Sequence, residues 1–453
     1  LIHIKTEVKL MEERKMTNFL SGIRVLEYTN MLAGPFGGML LGDLGAEVVK
    51  VEVPMTGDKT RVFTTPTGEI KIGMGGMGGL TPIAEITPET SRMPTIPIEA
   101  QNYYYLSVNR NKKSLALDTR TEKGREVIYE LVKKADVVYD NIRPDALKRL
   151  GLNYEKLKKI NPRIISCSLT GFGHTGPSRD EPSFDNIIQS RSGLMGMTGS
   201  PEYGPAIAGL AVGDLVGATY SVLAIASALY YREITGKGQK LDIALLDSLF
   251  SYTSYASQDY FFNKTIYERR GTDHPFLTPF RSYKTKDGWI TITALTPKEF
   301  ENLCKGVINR PDLLTDERFS TTAMRYIVYR KELNEMLEDI FLAKTSEEWI
   351  KLCREHDVCV ANVNTIADAV ADPQILARDM VVEIDKSPEK GKYKAVGNPF
   401  KSSEVKPSFV RPPVLGEHTE EILKGYLGYS DEKIQELLNE GIISIGIPIS
   451  GEE

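Results

Sequence analysis

LSGIRVLEYTNMLAGPFGGMLLGDLGAEVVKVE, residues 20–52, reads as strand, turn, helix and strand in succession. Ile23–Tyr28 and Glu47–Glu52 are short runs rich in Val, Ile and Leu, as strands covered on both faces require. Phe36–Leu44, between them, has the length and apolar content of a helix. A unit of this kind builds a parallel sheet with right-handed crossovers. The alternation continues with Glu122–Lys134 as helix, Asp136–Asp140 as strand, Asp145–Leu150 as a short helix and Ile164–Leu169 as strand. The first 170 residues therefore predict a large Rossmann-like α/β domain.

Such a fold invites a dinucleotide, and Glu52 ends the second strand where an NAD-binding protein keeps its ribose acid. The first turn, TNMLAGPFGG, has no G-x-G-x-x-G, so neither NAD nor FAD is expected. Between Val62 and Gln101 the chain turns rich in Gly, Met, Pro and Thr. Two readings stay open for it: a surface loop, or a lid hinged at Gly73–Gly79. From Pro279 a smaller α+β unit begins. Phe280–Lys284 and Trp289–Ala294 form a hairpin, followed by helices at Pro297–Ile308, Arg325–Leu342 and Ser346–His356. The expected domains are residues 17–250, residues 265–365, and a segment, 366–453, that returns to the large domain and ends in a helix opened by Ser430.

The 453 residues carry a net charge of −5, which gives no reason to expect nucleic acid or an anionic membrane as partner. The four cysteines form no C-x-x-C pair, and Cys353 and Cys359 around His356 match no zinc spacing, so no metal is expected. The charged start, LIHIKTEVKLMEERKMTNF, has no apolar core of a signal peptide, and residues before Thr17 read as an extension. Val216–Tyr230 is too short to span a bilayer and reads as a buried core helix. Together these features predict a cytoplasmic protein.

Asp214 stands at the front of a long run of small and apolar residues, AGLAVGDLVGATYSVLAIASALYYREITGKGQ. On its own this is the place of a helix N-cap, where orphan N–H groups and the helix dipole favour a carboxylate.

Its neighbours point further. The 20–52 stretch, GFGHTGPSRDEPSFDNIIQSRSGLMGMTG (Gly171–Gly199) and GDLVGATYSVLAIASALYYREITGKGQKLDIALLDS (Gly213–Ser248) stand in order, with LGEHTEEIL near Gly416. In this order and spacing they resemble the class III CoA-transferases, from about residue 19 to the end. The resemblance implies that Asp214 is the nucleophile. Its carboxylate attacks an acyl-CoA thioester, a mixed anhydride forms, and CoA returns to give an aspartyl-CoA thioester that the acceptor acid resolves. It implies coenzyme A contacts at Ala33, Leu117, Arg120, Asn141 and Arg149, with arginine suited to phosphate. Coenzyme A then enters as a substrate thioester, with succinyl-CoA as a fitting donor and a free carboxylic acid as acceptor. The resemblance further implies a homodimer interlocked like two rings, with a heteromer of related subunits as the alternative.

The chain also departs from the formyl-CoA transferase pattern. Leu32 replaces a Gln, Val53 replaces an adenine-side Arg, and no glycine-only loop follows Ser248. These changes predict an acceptor larger or more apolar than formate or oxalate. The α-methylacyl-CoA racemases share the same segments, but they need a His where Phe184 stands, beside Asp185. His174 reads as loop structure or a weak substrate contact, and Asp185 as a loop acid or a neighbour that tunes Asp214.

Overall fold

The computed structural model describes residues 17–62, 102–386 and 391–446. The candidate lid between Val62 and Gln101 and the N-terminal extension lie outside these residues. The chain divides into two compact units. One falls within Leu1–Ser192, Leu210–Thr253 and Arg378–Glu453, the other within Gly193–Gly209 and Ser254–Ala377.

The first unit is built on β1 (Arg24–Tyr28), β2 (Glu47–Glu52), β3 (Lys112–Leu117), β4 (Val137–Asp140), β5 (Ile165–Thr170) and β6 (Gln239–Ala244). They lie in the order β3-β2-β1-β4-β5-β6, all parallel, with Ile443–Ser444 added antiparallel beyond β3. Leu26 sits opposite Val49 on one side and Val138 on the other, and all three are fully buried. That burial on both faces is why β1, β2 and β4 are nearly unbroken apolar runs. The strand order reverses between β1 and β4, which creates a crevice at the carboxyl ends of the strands.

The helices of this unit before Thr253 are α1 (Ala33–Asp43), α2 (Tyr103–Val108), α3 (Glu122–Val132), α4 (Pro144–Arg149), α5 (Tyr154–Ile160), α6 (Asp185–Arg191), α7 (Val212–Thr235) and α8 (Leu245–Ser251), and Thr419–Leu427 and Asp431–Asn439 follow near the end of the chain. The first begins at Ala33, earlier than the sequence suggests, because Pro35 falls in its first turn where no N–H is needed. Among the described residues α7 is the one helix long and apolar enough to cross a membrane. Here it packs on α1, α6, α8, β5 and β6, burying Val216, Gly217, Ala218, Ser221 and Ile225. A Cβ at Gly217 would stand 2.5 Å from Leu245 Cδ2 and 3.1 Å from Leu169 Cδ1, so a larger residue there would push these leucines aside. The opposite side of the sheet is covered by α3 and α5 through Ile128, Leu131 and Leu157, and by the returning C-terminal helices through Ile422, Leu423 and Leu437.

The second unit holds an antiparallel sheet of Phe280–Lys284, Trp289–Thr293 and Cys359–Asn362 around a core that includes Tyr283, Phe300, Phe341 and Trp349. Capping boxes at Thr296 with Glu299 and Thr345 with Glu348 open two of its helices. The helix expected over Arg325–Leu342 starts at Arg330, after a wider π turn over Met324–Val328. There Arg325 is buried over the Phe300 ring and donates to the Phe319 carbonyl.

Two boundaries differ from the sequence reading. Residues 193–209 belong to the second unit, held there by the bond from the Gly271 N–H to the Gly199 carbonyl. That unit also continues to Ala377.

Candidate active site

In a parallel sheet each crossover helix runs back against its strand, so its N-terminus lies at the carboxyl edge. Helix α7 leads into β6, which places Asp214 at that edge. The carboxyl ends of β1, β3 and β4 lie there too, with Ala33, Leu117, Arg120 and Asn141 at or just beyond them, while Arg149 comes a helix later, at the end of α4. Asp214, Ala33, Leu117, Arg120 and Asn141 therefore lie toward the carboxyl edge of one sheet, and Arg149 does not join them through this topology.

Asp214 is not the cap of α7. It is the third helical residue, and Ala211 at the cap makes no side-chain bond. The cap comes from elsewhere in the chain. Asp185, first residue of α6, accepts the Gly213 N–H at 2.7 Å and the Asp214 N–H at 3.2 Å through Oδ1. Its Oδ2 accepts the Gln189 amide at 2.6 Å.

The Asp214 carboxylate is partly buried and accepts no hydrogen bond from a described residue. Burial first, and the Asp185 charge second, push its pKa up to about 7. This corrects the expectation that the helix start keeps it ionised, because the N–H groups that would favour its charge are already bonded to Asp185. Tyr104 faces the same place. Burial, followed by the Asp214 charge, raises its phenol pKa, so it stays neutral. Sequence reasoning missed Tyr104, since it stands in a featureless Tyr-Tyr-Tyr run at the end of the glycine-rich stretch.

Of the coenzyme A candidates, Ala33 opens α1 and is buried, and Leu117 ends β3, also buried. Arg149 is exposed in the last turn of α4. Arg120 is exposed and forks onto Asp118 at 2.8 and 2.7 Å. Asn141 straps the crevice: its Oδ1 accepts the Asn30 N–H at 3.0 Å and its Nδ2 donates to the Asn30 carbonyl at 2.8 Å. That joins the β1 and β4 loops where the strand order reverses.

Glu52 is fully engaged. It takes the Arg61 fork at 2.9 and 2.8 Å, the Ser114 hydroxyl at 2.6 Å and the Asp58 N–H at 2.9 Å. A ribose would find no free acceptor there. Val53 is exposed just beyond it, without charge.

Phe184 is 70 % exposed immediately before α6. His174 lies elsewhere. On β5, Leu169 faces α7, so Ser166 and Ser168, an odd number of positions away, face the other side of the sheet. His174 lines a small cavity of about 140 Å³ with these two serines and Lys240, and its N–H is held by Asp242. It does not share the α7 face with Asp214. Among the described residues no three His, Cys, Asp or Glu side chains gather as a metal site.

The site therefore presents a partly buried carboxylate with a second acid beside it and, among the described residues, no imidazole facing it, at the mouth of a Rossmann-type crevice. The profile of CoA-transferase family III matches residues 20–419 of this chain. The succinyl-CoA:glutarate CoA-transferase of Homo sapiens is 36% identical over 425 residues, covering 94% of this chain and 90% of that protein. The succinyl-CoA–L-malate CoA-transferase beta subunit of Chloroflexus aurantiacus is 33% identical over 429 residues, covering 94% and 98%. Among solved structures, a CAIB/BAIF family protein from Brucella suis superposes with a TM-score of 0.77 at 34% identity, covering 90% of this chain and 100% of that one.

Proposed function

The chain belongs to CoA-transferase family III, and on that footing we propose that it moves CoA from succinyl-CoA to a dicarboxylic acid through covalent intermediates on Asp214. The human relative acts, by name, between succinyl-CoA and glutarate, which supports an acceptor larger than formate or oxalate. It supports a second carboxylate on that acceptor rather than the apolar chain that Leu32 and Val53 suggest.

The observation that carries the reading is the raised pKa of Asp214. Burial and the Asp185 charge both penalise a negative Asp214. Acylation removes that charge, so the same two forces favour the acyl-enzyme. In the first step the Asp214 oxygen bonds to the thioester carbonyl carbon, the C–S bond breaks, and CoA leaves as thiolate. The thiolate then attacks the aspartyl carbonyl and releases succinate. The acceptor carboxylate next displaces CoA from the aspartyl thioester. Finally CoA attacks the acceptor's acyl carbon and frees the Asp214 carboxylate. The Gly213 and Asp214 N–H groups are taken by Asp185, so oxyanion donors come from other backbone groups at the edge.

Self-association has support on the surface. On α7, Leu223, Tyr230 and Ile234 are 60, 72 and 67 % exposed, a large apolar face for a monomer. The beta-subunit relative leaves an unlike partner as the second reading, which native mass measurement separates from a homodimer. For the chemistry, the test is Asp214→Asn assayed with succinyl-CoA and a panel of acids. Loss of transfer by at least about a thousandfold in a folded variant is expected. Near-normal turnover removes Asp214 from the mechanism.

A further inference from the structure

The segment after β1, Thr29–Pro35, is a turn running into the first residues of α1; it carries Ala33 and borders the crevice. Four buried charges lie beneath it: Glu27, Lys50, Asp58 and Lys112. Three of them hold the turn by its backbone. Lys50 Nζ donates to the Thr29 carbonyl at 2.8 Å, Asp58 Oδ1 accepts the Met31 N–H at 3.3 Å, and Lys112 Nζ donates to the Pro35 carbonyl at 2.8 Å. The charges hold each other as well. Lys50 pairs with Asp58 at 2.9 Å and Glu27 at 3.1 Å, and Lys112 pairs with Glu27 at 2.9 Å.

Buried ion pairs add little stability over apolar packing, so two lysines and two acids at this place call for another reason. The backbone they hold supplies one. Met31 is at φ 72°, a left-handed conformation that a non-glycine residue keeps only when its surroundings impose it. A turn this constrained has its N–H and C=O groups fixed before any ligand arrives, which lowers the ordering cost of binding.

We propose that Asp58, Lys50 and Lys112 are positioning residues that preset the Thr29–Pro35 turn for the acyl-CoA, none of them touching the substrate. This rests on the reading of the Ala33 turn as part of the coenzyme A site. The first test is calorimetric titration of CoA into the whole protein, with steady-state kinetics alongside. Asp58→Asn keeps the shape but loses the charge that pairs with Lys50. It is expected to weaken CoA binding about tenfold and to raise KM for acyl-CoA alike, leaving KM for the acceptor acid unchanged. The control is Asp43→Asn, which breaks an equally buried pair with Arg110 and makes no bond to the turn. It is expected to lower Tm with CoA affinity intact.

Wild-type affinity in Asp58→Asn overturns the proposal, as does equal weakening in both variants. A folded wild type that binds no CoA overturns the reading of the site itself, and the proposal with it. If Asp58→Asn does not fold, hydrogen exchange on the wild type decides. Asn30 and Met31 amides, bonded to Asn141 and Asp58, protected as strongly as those of β1 without CoA support the proposal. A turn that exchanges freely until CoA is added overturns it.

Discussion

Oδ1 of Asp185 accepts the backbone N–H of Asp214 at 3.2 Å, so one carboxylate both starts the helix that presents the other and repels its charge. The first role orders α7 by satisfying orphan donors. The second, added to the larger effect of burial, holds the Asp214 pKa near 7. On the proposed mechanism the ionised form of Asp214 attacks, so kcat/KM is expected to rise with pH and level off above about 7. Asp185→Asn keeps an acceptor for the two N–H groups but removes the charge. The acid limb should then move down by about one pH unit and no further, since burial remains. A limb that stays in place shows that Asp185 only caps.

The same pKa makes a stability prediction of definite sign. A carboxyl raised above its unfolded value supports the fold below the unfolded pKa and loses that support as pH rises through the folded value, here about 7. At pH 8 an ionised Asp214 therefore destabilises the protein. Asp214→Asn should be more stable than wild type there, by on the order of 2 kcal/mol, while losing activity. At pH 4 the gain should vanish. Denaturant unfolding at the two pH values checks it. A variant less stable at pH 8 means that Asp214 is held by bonds that this geometry does not contain.

The sheet was legible because both faces of β1, β2 and β4 are covered, which leaves continuous apolar runs in the sequence. The motif around Asp214 was legible in the sequence, but the electrostatic surroundings of that carboxyl were not. Its partner, Asp185, is 29 positions earlier, and only the fold brings that carboxylate to Gly213 and Asp214. Local reasoning therefore gave Asp214 the N–H groups that Asp185 in fact occupies. The buried lysines were hidden for a related reason: Lys50 inside EVVKVE looks like a polar break in a strand, and its acids lie on other elements. Residues 193–209 cluster with the second unit, where the Gly271 N–H bonds the Gly199 carbonyl, and no local pattern in the sequence marks that distant contact.

Asn141 gives a kinetic prediction. Both ends of its amide are spent on Asn30, so it shapes the crevice as a strap between two loops. Asn141→Ala removes two hydrogen bonds of about 1 kcal/mol each. KM for acyl-CoA should rise roughly tenfold, with a smaller change in kcat, since Asp214 and its cap are untouched. A fall in kcat alone, at unchanged KM, means that Asn141 acts on the reacting groups instead.

The racemase chemistry on this fold moves a proton at the α-carbon and needs two acid/base groups on opposite sides of it. Asp214, with a pKa near 7, has the pKa for one of them. The position that would supply the other is Phe184, whose ring carries no exchangeable proton, and His174 faces away from α7 across the sheet. Wild-type protein incubated with a 2-methylacyl-CoA in deuterated water, without acceptor acid, should therefore incorporate no deuterium at C2. Phe184→His places an imidazole at the cap position of α6, directly before Asp185. If the raised pKa of Asp214 is its sole contribution to proton transfer, this variant should gain slow exchange by mass spectrometry. Exchange in the wild type itself would reveal a second base on the α7 face and would overturn the assignment of Asp214 as a nucleophile alone.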